Sequence, residues 1–175
     1  MAKNPGVFER FPASTVLIFN LVNLSVFACG IYLLYLIWPV LAVLFAVYIA
    51  AMESMVYREG CRNCWYYGKR CMSGRGCLAK MFMKKGDPKK FSEKDVSAKA
   101  FIPSSLISVV PVIAGIYLFL QGFDFVLLGI GVWPIIVMFL GNPVIYGELS
   151  CPHCKQSELG CPVSEFFMKK AKKKK

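Results

Sequence analysis

From Phe11 to Met52 the chain reads FPASTVLIFNLVNLSVFACGIYLLYLIWPVLAVLFAVYIAAM, a run of 42 residues without Asp, Glu, Lys or Arg. A second run, from Phe101 to Gly147, holds a single charged side chain, Asp124. A helix that crosses the hydrocarbon core of a bilayer needs about 20 apolar residues. Each run is therefore long enough for two crossings joined by a tight turn, whereas a soluble helix of this length would carry a polar face. The sequence predicts an all-α membrane protein with four transmembrane helices.

The overall composition agrees with that class. Of the 175 residues 57% are hydrophobic, and the mean hydropathy is +0.53, whereas ordinary soluble domains are about 45–50% apolar. We predict transmembrane helices at about 13–33, 38–57, 102–120 and 125–141. Pro39 is typical of a first helical turn and Trp38 of a membrane interface. Asn142-Pro143 is expected to end or kink the fourth helix. Asp124 is expected in the outer turn, with a functional intramembrane carboxylate as the alternative.

The positions of the cations predict the orientation. All 21 Lys and Arg lie in three segments, at Lys3 and Arg10, between Arg58 and Lys99, and from Lys155 to the end of the chain. Cytoplasmic loops collect such residues, so we expect a multi-pass plasma-membrane protein with cytoplasmic termini. The first run is too long for a cleavable signal peptide. The lysines expected to lie along anionic lipid headgroups are Lys169, Lys170, Lys172, Lys173, Lys174 and Lys175. Charge without a recognition motif gives no support to nucleic-acid binding.

Four landmarks occur twice in the same order, which predicts two tandem repeats with boundaries at 1–100 and 101–175. They are Gly-Ile-Tyr-Leu, Trp-Pro, Cys-x2-Cys-x6-Cys and Phe-Met-Lys-Lys, starting at 30, 38, 61 and 82 and again at 115, 133, 151 and 167. Each repeat would be a helical hairpin followed by a cytosolic cysteine loop, at 61–77 and 151–161, and a basic segment, at 80–99 and 166–175. Ser92-x-x-Asp95 is expected to cap a short helix before the third span.

Seven of the eight cysteines lie in the two loops, and they are candidate metal ligands. The predicted ligands are Cys61, Cys64, Cys71, Cys77, Cys151, Cys154 and Cys161, with His153 as an eighth. Two thiolates at Cys-x-x-Cys spacing grip one ion because a tight turn brings both sulfurs to the same side, and thiolates suit zinc and iron–sulfur clusters. In a reducing cytosol we expect them to be metal ligands rather than disulfides. The prediction for the cofactor is an iron–sulfur cluster or zinc. Cys29 lies within the first run, as a packing residue.

The residues between the first cysteines predict the setting of the site. Trp65, Tyr66 and Tyr67 are expected to anchor the loop among lipid headgroups, or else to shield a cluster from water. The interleaved cations are expected to lower the pKa values of the thiols and to attract an acidic redox partner. These cations are Arg62, Lys69, Arg70 and Arg75.

Two stretches carry a resemblance. They are Cys61-Arg-Asn-Cys-Trp-Tyr-Tyr-Gly-Lys-Arg-Cys71 and Phe82-Met-Lys-Lys-Gly-Asp-Pro-Lys-Lys-Phe91. Together they resemble uncharacterised small membrane proteins of prokaryotes, of an archaeal type. The resemblance covers about a fifth of the chain and implies four helices and a cytosolic CxxCxYYGKxC loop, with no activity attached.

Three functions follow as hypotheses. The first is an iron–sulfur electron-transfer or accessory subunit of a larger membrane complex. The sequence carries no catalytic motif, which is why none of the three hypotheses is an enzyme. The second is a zinc-stapled structural or assembly protein without redox activity. The third is a small transporter, for which Asn20, Asn23 and Asn142 would be the polar candidates. Gly129-Ile-Gly131 would permit close helix contact, so a homo-oligomer is also possible.

Overall fold

The computed structural model describes residues 6–88, 91, 98–122 and 124–164. The six lysines assigned to lipid headgroups and the Ser92-x-x-Asp95 cap lie outside these residues. The main α-helices are α1 (Ala13–Ile37), α2 (Pro39–Met55), α3 (Arg75–Phe82), α4 (Ala98–Gly122) and α5 (Phe125–Ile136).

Beyond their α-helical parts, α2 and α5 continue through π-helical turns and end in 3₁₀ turns. After α2 come a π-helical turn, Val56–Gly60, and a 3₁₀ turn, Cys61–Asn63. After α5 the path runs through Val137–Gly141 (π), Asn142–Val144 (α), Ile145–Ser150 (π) and Cys151–His153 (3₁₀). Both Cys-x-x-Cys pairs thus begin on a 3₁₀ turn that follows a π turn. The tandem repeat itself stays a prediction.

The prediction of an all-α protein with four membrane-length helices is confirmed. The four candidate spans are Ala13–Ile37, Pro39–Asn63, Ile102–Gly122 and Phe125–His153. In each span at most 22% of the most apolar window is buried inside the protein. Large apolar side chains such as Leu17, Val43, Val47 and Leu120 are exposed along these helices. Such a surface is stable in lipid rather than in water.

The helix ends differ from the prediction, most clearly at Asn142-Pro143. Of the two predicted outcomes, an end or a kink, the first is wrong, because the fourth span continues as helix past this pair to His153. A proline inside an α-helix has no N–H to donate, and its ring clashes with the carbonyl four residues earlier. The π turn at Val137–Gly141 changes the hydrogen-bond register just before Pro143, which lets the helical path go on.

The contacts divide the chain into two compact units. The membrane unit is Leu21–Ser54 and Ser97–Gly141, and the cysteine unit is Met1–Asn20, Met55–Val96 and Asn142–Lys175. The membrane unit has a buried core built from α1, α2 and α4, consisting of Leu33, Leu34, Ala42, Phe45, Ile49 and Ala114.

Polar side chains fix the ends and crossings within the membrane unit. Asp124 is the N-cap of α5, and its carboxylate accepts hydrogen bonds from the backbone N–H groups of Val126 and Leu127 at 2.8 and 3.4 Å. The indole of Trp133 donates to Ser25 at 2.9 Å. The cap gives Asp124 a structural role in the turn where the sequence placed it.

Candidate metal centre

A short N-terminal segment ties the two cysteine loops together. The N–H of Phe8 donates to the carbonyl of His153 in the second loop at 2.9 Å. The N–H of Phe11 donates to the carbonyl of Arg70 in the first loop at 2.9 Å, and Nε of Arg70 returns a bond to the Phe11 carbonyl at 2.6 Å. The residues before α1 therefore join the two loops, although the loops are far apart in sequence.

Tyr66 lies at the centre of this arrangement, and only 2% of its surface is exposed. Its hydroxyl donates to the Phe8 carbonyl at 2.6 Å and accepts from the N–H of Lys155 at 3.1 Å. Burial raises the pKa of Tyr66 to about 12, which keeps the hydroxyl protonated as a donor. Tyr66 is thus a buried tie between three segments, and the prediction of a headgroup anchor is wrong for it.

A buried glutamine makes the second direct link between the loops. The side-chain oxygen of Gln156 accepts from the N–H of Trp65 at 2.8 Å, and Gln156 itself is almost fully buried. Breaking such a bond would leave a buried polar group unsatisfied, at a cost of about 1–3 kcal/mol. The two loops are therefore held in a defined relation.

The two Cys-x-x-Cys pairs adopt the same turn. The N–H of Cys64 donates to the Cys61 carbonyl at 3.4 Å, and the N–H of Cys154 donates to the Cys151 carbonyl at 3.3 Å. After each turn the second sulfur accepts backbone hydrogen bonds. The Cys64 thiol accepts from Tyr66, and the Cys154 thiol accepts from the residues two and three positions further on. N–H groups aimed at sulfur are the setting that stabilises a thiolate or a metal-bound sulfur.

Cys71 has a similar set of donors. Its sulfur accepts from the N–H of Gly76 at 3.4 Å, and the Ser73 hydroxyl lies 3.4 Å away. Asn20 of α1 steadies this part of the loop by donating to the Ser73 carbonyl at 3.1 Å. The sulfur of Cys71 therefore accepts a backbone N–H, as the sulfurs of Cys64 and Cys154 do.

Six of the seven loop thiols, drawn from both loops, lie close enough that a charge on one raises the pKa of another. The Cys64 thiol interacts with those of Cys154, Cys71 and Cys61. The Cys154 thiol interacts with Cys71 and Cys161, and Cys151 interacts with Cys161 and Cys154. All eight cysteines are free thiols. Within the described ranges no three His, Cys, Asp or Glu side chains converge closely enough to hold a metal ion. The loops bring the thiols near one another without closing them on a single point.

Two predicted ligands lie apart from that group. Cys77 is exposed on α3. Nδ1 of His153 lies 2.7 Å from the carbonyl of Gly6, and the ring stacks on Phe8 with centroids 4.9 Å apart. Because a carbonyl only accepts, Nδ1 is the donor in this bond, and only Nε2 is left for a metal. His153 braces the N-terminal segment, and its role as a ligand stays a prediction.

The interleaved cations do not lower the pKa values of Cys64 and Cys154, contrary to the prediction. Burial raises the pKa of Cys64 to about 12 and also raises that of Cys154. The cations are directed elsewhere, since Lys69 lies 3.7 Å from the centroid of the Trp65 ring and Arg70 is bound to a backbone carbonyl. Desolvation of the charged form is therefore the main cause of the raised pKa values of these two thiols.

In metal-free protein, we expect Cys64 to react with iodoacetamide at least tenfold more slowly than exposed Cys77 at neutral pH. The thiolate is the nucleophile, and a pKa of about 12, against an ordinary 9.0, leaves little of it. The rate at Cys64 should climb as pH rises above 9. The same raised pKa stabilises the fold below about pH 9 and ceases to do so as pH rises toward 12. Peptide mapping by mass spectrometry measures both rates, and equal labelling of the two cysteines would contradict the burial of Cys64.

Sequence reasoning missed the residues that build this scaffold. Phe8, Phe11 and Gln156 carry no motif and lie outside any periodic pattern. The hydroxyl of Ser150 is also unexpected, because it is buried and has no hydrogen-bond partner in the part of the chain that the structure describes. Ser150 immediately precedes Cys151, so its unused donor and acceptor capacity lies within the cysteine unit.

No family model, curated protein or solved structure matches this chain.

Proposed function

We propose that the cysteine unit binds a metal through thiolates drawn from both loops, and that the chain is an iron–sulfur electron-transfer or accessory subunit of a larger membrane complex. Cys64, Cys71 and Cys154 would be the central ligands. Cys61, Cys151 or Cys161 would complete the set. Metal binding would then require the two loops to close on the ion, a coupling of metal and local order that is common in small thiolate sites.

The observation that carries this proposal is the tie between the two loops, where the N–H of Trp65 donates to Gln156 and the N–H of Lys155 donates to Tyr66. This tie brings Cys64, Cys71 and Cys154 near enough that a charge on one thiol raises the pKa of another. Each of these sulfurs also accepts at least one backbone N–H. Thiols with preformed N–H donors, free of disulfides and held by a buried scaffold, are a suitable ligand set for a soft metal or a cluster. A packing role alone would not require donors aimed at three sulfurs.

An iron–sulfur cluster would supply reversible one-electron chemistry, and the protein would tune it. Hydrogen bonds to cluster sulfurs and partial burial are among the main determinants of the reduction potential. The buried thiols and the N–H donors of Tyr66 and Gly76 supply both here. Unbound thiols with raised pKa values must lose protons when the metal binds, so binding should weaken at low pH.

The cation distribution supports a cytoplasmic cysteine unit in a plasma-membrane protein. Moving Lys and Arg across the membrane is unfavourable, and every Lys and Arg except Lys99 belongs to the same unit as the two loops. A basic face beside the centre would favour an acidic soluble redox protein as partner. The polybasic C-terminal tail would lie along anionic lipid.

Zinc in the same thiols is the second candidate. It is favoured by the matching 3₁₀ turns of the two Cys-x-x-Cys pairs, because one pair from each loop is the usual composition of a four-thiolate zinc site. In that case the chain would be a structural or assembly protein without redox activity.

Elemental analysis of anaerobically purified protein tests the proposal. We expect about four irons per chain for one cubane cluster, with visible absorption that bleaches reversibly on reduction. Cys64→Ser and Cys154→Ser should each remove most of the iron, because each takes away a central ligand. Iron and zinc are measured together by mass spectrometry on the same samples.

Cys77→Ser is the matched control, since it removes a thiol of the same loop that lies exposed on α3. It should retain the iron of the wild type. Zinc at about one per chain without iron would exclude electron transfer and leave the structural candidate. Absence of both metals, or loss of metal only in the Cys77 variant, would refute this ligand set.

A further inference from the structure

A second feature of the cysteine unit, unrelated to the thiols, is an open cleft at the end of the second span. Its volume is about 580 Å³, and it is lined by Arg58, Arg62, Phe82, Met83 and Lys84. Three of the five lining residues are cations, two are apolar, and none is acidic. This combination of charge and apolar surface differs from an ordinary solvated face.

Backbone contacts fix both walls of this cleft. Arg58 and Arg62 lie one turn apart on the π and 3₁₀ turns that follow α2. The N–H of Gly86 donates to the Arg62 carbonyl at 3.0 Å, which holds the segment after α3 against those turns. The hydroxyl of Tyr67 donates to the carbonyl of Met83. The cations are therefore presented from two elements that are tied to each other.

The place of the cleft along the chain indicates a membrane interface. Arg58 and Arg62 lie in the last turns of the candidate span Pro39–Asn63. At the end of α3, Met81 and Phe82 are 74% and 78% exposed. Apolar side chains left exposed beside cations at the end of a span are typical of a helix that lies in the headgroup and acyl boundary. Water would be an unfavourable environment for them.

We propose that this cleft binds the phosphate of one anionic lipid, with Arg58, Arg62 and Lys84 around the phosphate and Phe82 against the first part of an acyl chain. Guanidinium groups donate several N–H bonds in a geometry that matches phosphate oxygens, and lysine adds a point charge. The apolar wall selects a lipid over free phosphate, because inorganic phosphate has nothing to place against Phe82. This site lies entirely in the described residues.

The test is native mass spectrometry of the full-length protein in mixed micelles that contain phosphatidylglycerol or phosphatidylcholine. Wild type should retain phosphatidylglycerol in preference to phosphatidylcholine. Each cation near an anionic headgroup contributes about fivefold to binding, so R58Q/R62Q/K84Q should weaken phosphatidylglycerol binding about 100-fold. Phe82→Ser should weaken it as well, because the variant loses the acyl contact and keeps every charge.

A matched control removes the same three charges elsewhere. R10Q/K80Q/K155Q lowers the net charge equally but changes no residue of the cleft lining, so it should bind phosphatidylglycerol within about threefold of wild type at roughly 150 mM salt, where diffuse attraction is screened. Equal weakening in both triple variants would show attraction by net charge alone and overturn the proposal. Wild-type affinity in R58Q/R62Q/K84Q would overturn it too.

Two further measurements distinguish a lipid ligand from free phosphate, and a lost site from a lost fold. If millimolar inorganic phosphate displaces phosphatidylglycerol and Phe82→Ser binds normally, the ligand is free phosphate and the lipid proposal fails. Thermal unfolding and metal content identify a variant that has not folded. In that case Lys84→Gln alone, which leaves the backbone contacts of both walls in place, should still weaken binding about fivefold. No loss in that variant would count against the site.

Discussion

Replacing Gly76 with alanine is expected to destabilise the cysteine unit by about 3 kcal/mol or more, the upper end of the range for overpacking a fixed site. A Cβ at this position would lie 2.2 Å from the carbonyl oxygen of Tyr66 and 2.4 Å from that of Lys69. Both atoms belong to the backbone, so neither can rotate away. Relief requires the first cysteine loop to move, and with it the donor that Gly76 supplies to Cys71 and the bond from the N–H of Gly68 to the Gly76 carbonyl.

Thermal unfolding of the purified full-length protein, followed by tryptophan fluorescence, measures this effect. Gly60→Ala is the matched control, because a Cβ there would meet nothing within 4 Å. It should change stability by no more than about 0.5 kcal/mol. If the two variants unfolded alike, the close approach of Gly76 to the loop carbonyls would be absent in solution. Metal content should fall in the Gly76 variant alone, since Cys71 would lose the hydrogen bond from the N–H of Gly76.

The membrane spans were predictable because their signal is local and long. A run of 42 residues without charge leaves no alternative to lipid or a large apolar core. The number and approximate positions of the spans therefore follow from the sequence. The helix ends were less predictable, because they depend on hydrogen-bond register. The π turn at Val137–Gly141 lies just before Asn142-Pro143, a pair that usually ends a helix, and the helical path continues past this pair.

The candidate site was predictable in its chemistry and unpredictable in its assembly. Cys-x-x-Cys spacing identifies paired thiols from sequence alone. That Cys64 and Cys71 interact with Cys154 of the other loop depends on tertiary contacts of Phe8, Phe11 and Tyr66. Single residues in loops give no periodic signal, and their partners are more than 50 residues away. The raised pKa values of the thiols were unpredictable for the same reason. The burial that raises them depends on tertiary contacts, whereas the sequence shows only which cations are close along the chain.

Gly131→Val is expected to destabilise the membrane unit by about 2–3 kcal/mol, again through overpacking. A Cβ on Gly131 would lie 2.9 Å from Cα of Gly115 and 3.0 Å from the carbonyl oxygen of Pro111, so α4 and α5 touch backbone to backbone at this point. Helices in lipid associate through packing and close approach, because lipid removes the hydrophobic driving force between them. Valine would separate the two helices and forfeit those contacts.

Gly129→Val provides the control from the same helix, since a Cβ at Gly129 would meet nothing within 4 Å. Unfolding in bicelles, followed by the loss of the wild-type circular dichroism or by steric trapping, should distinguish the two variants. If only the Gly131 variant is destabilised, Gly131 serves the fold of a single chain. Of the two glycines, Gly129 then remains available for a contact between copies of the chain. A Gly129 variant that unfolds more easily than the Gly131 variant would reverse this assignment and place the main helix contact of α5 in a homo-oligomer. A Gly129 variant that keeps its stability but loses an oligomer would show that the two glycines serve separate interfaces.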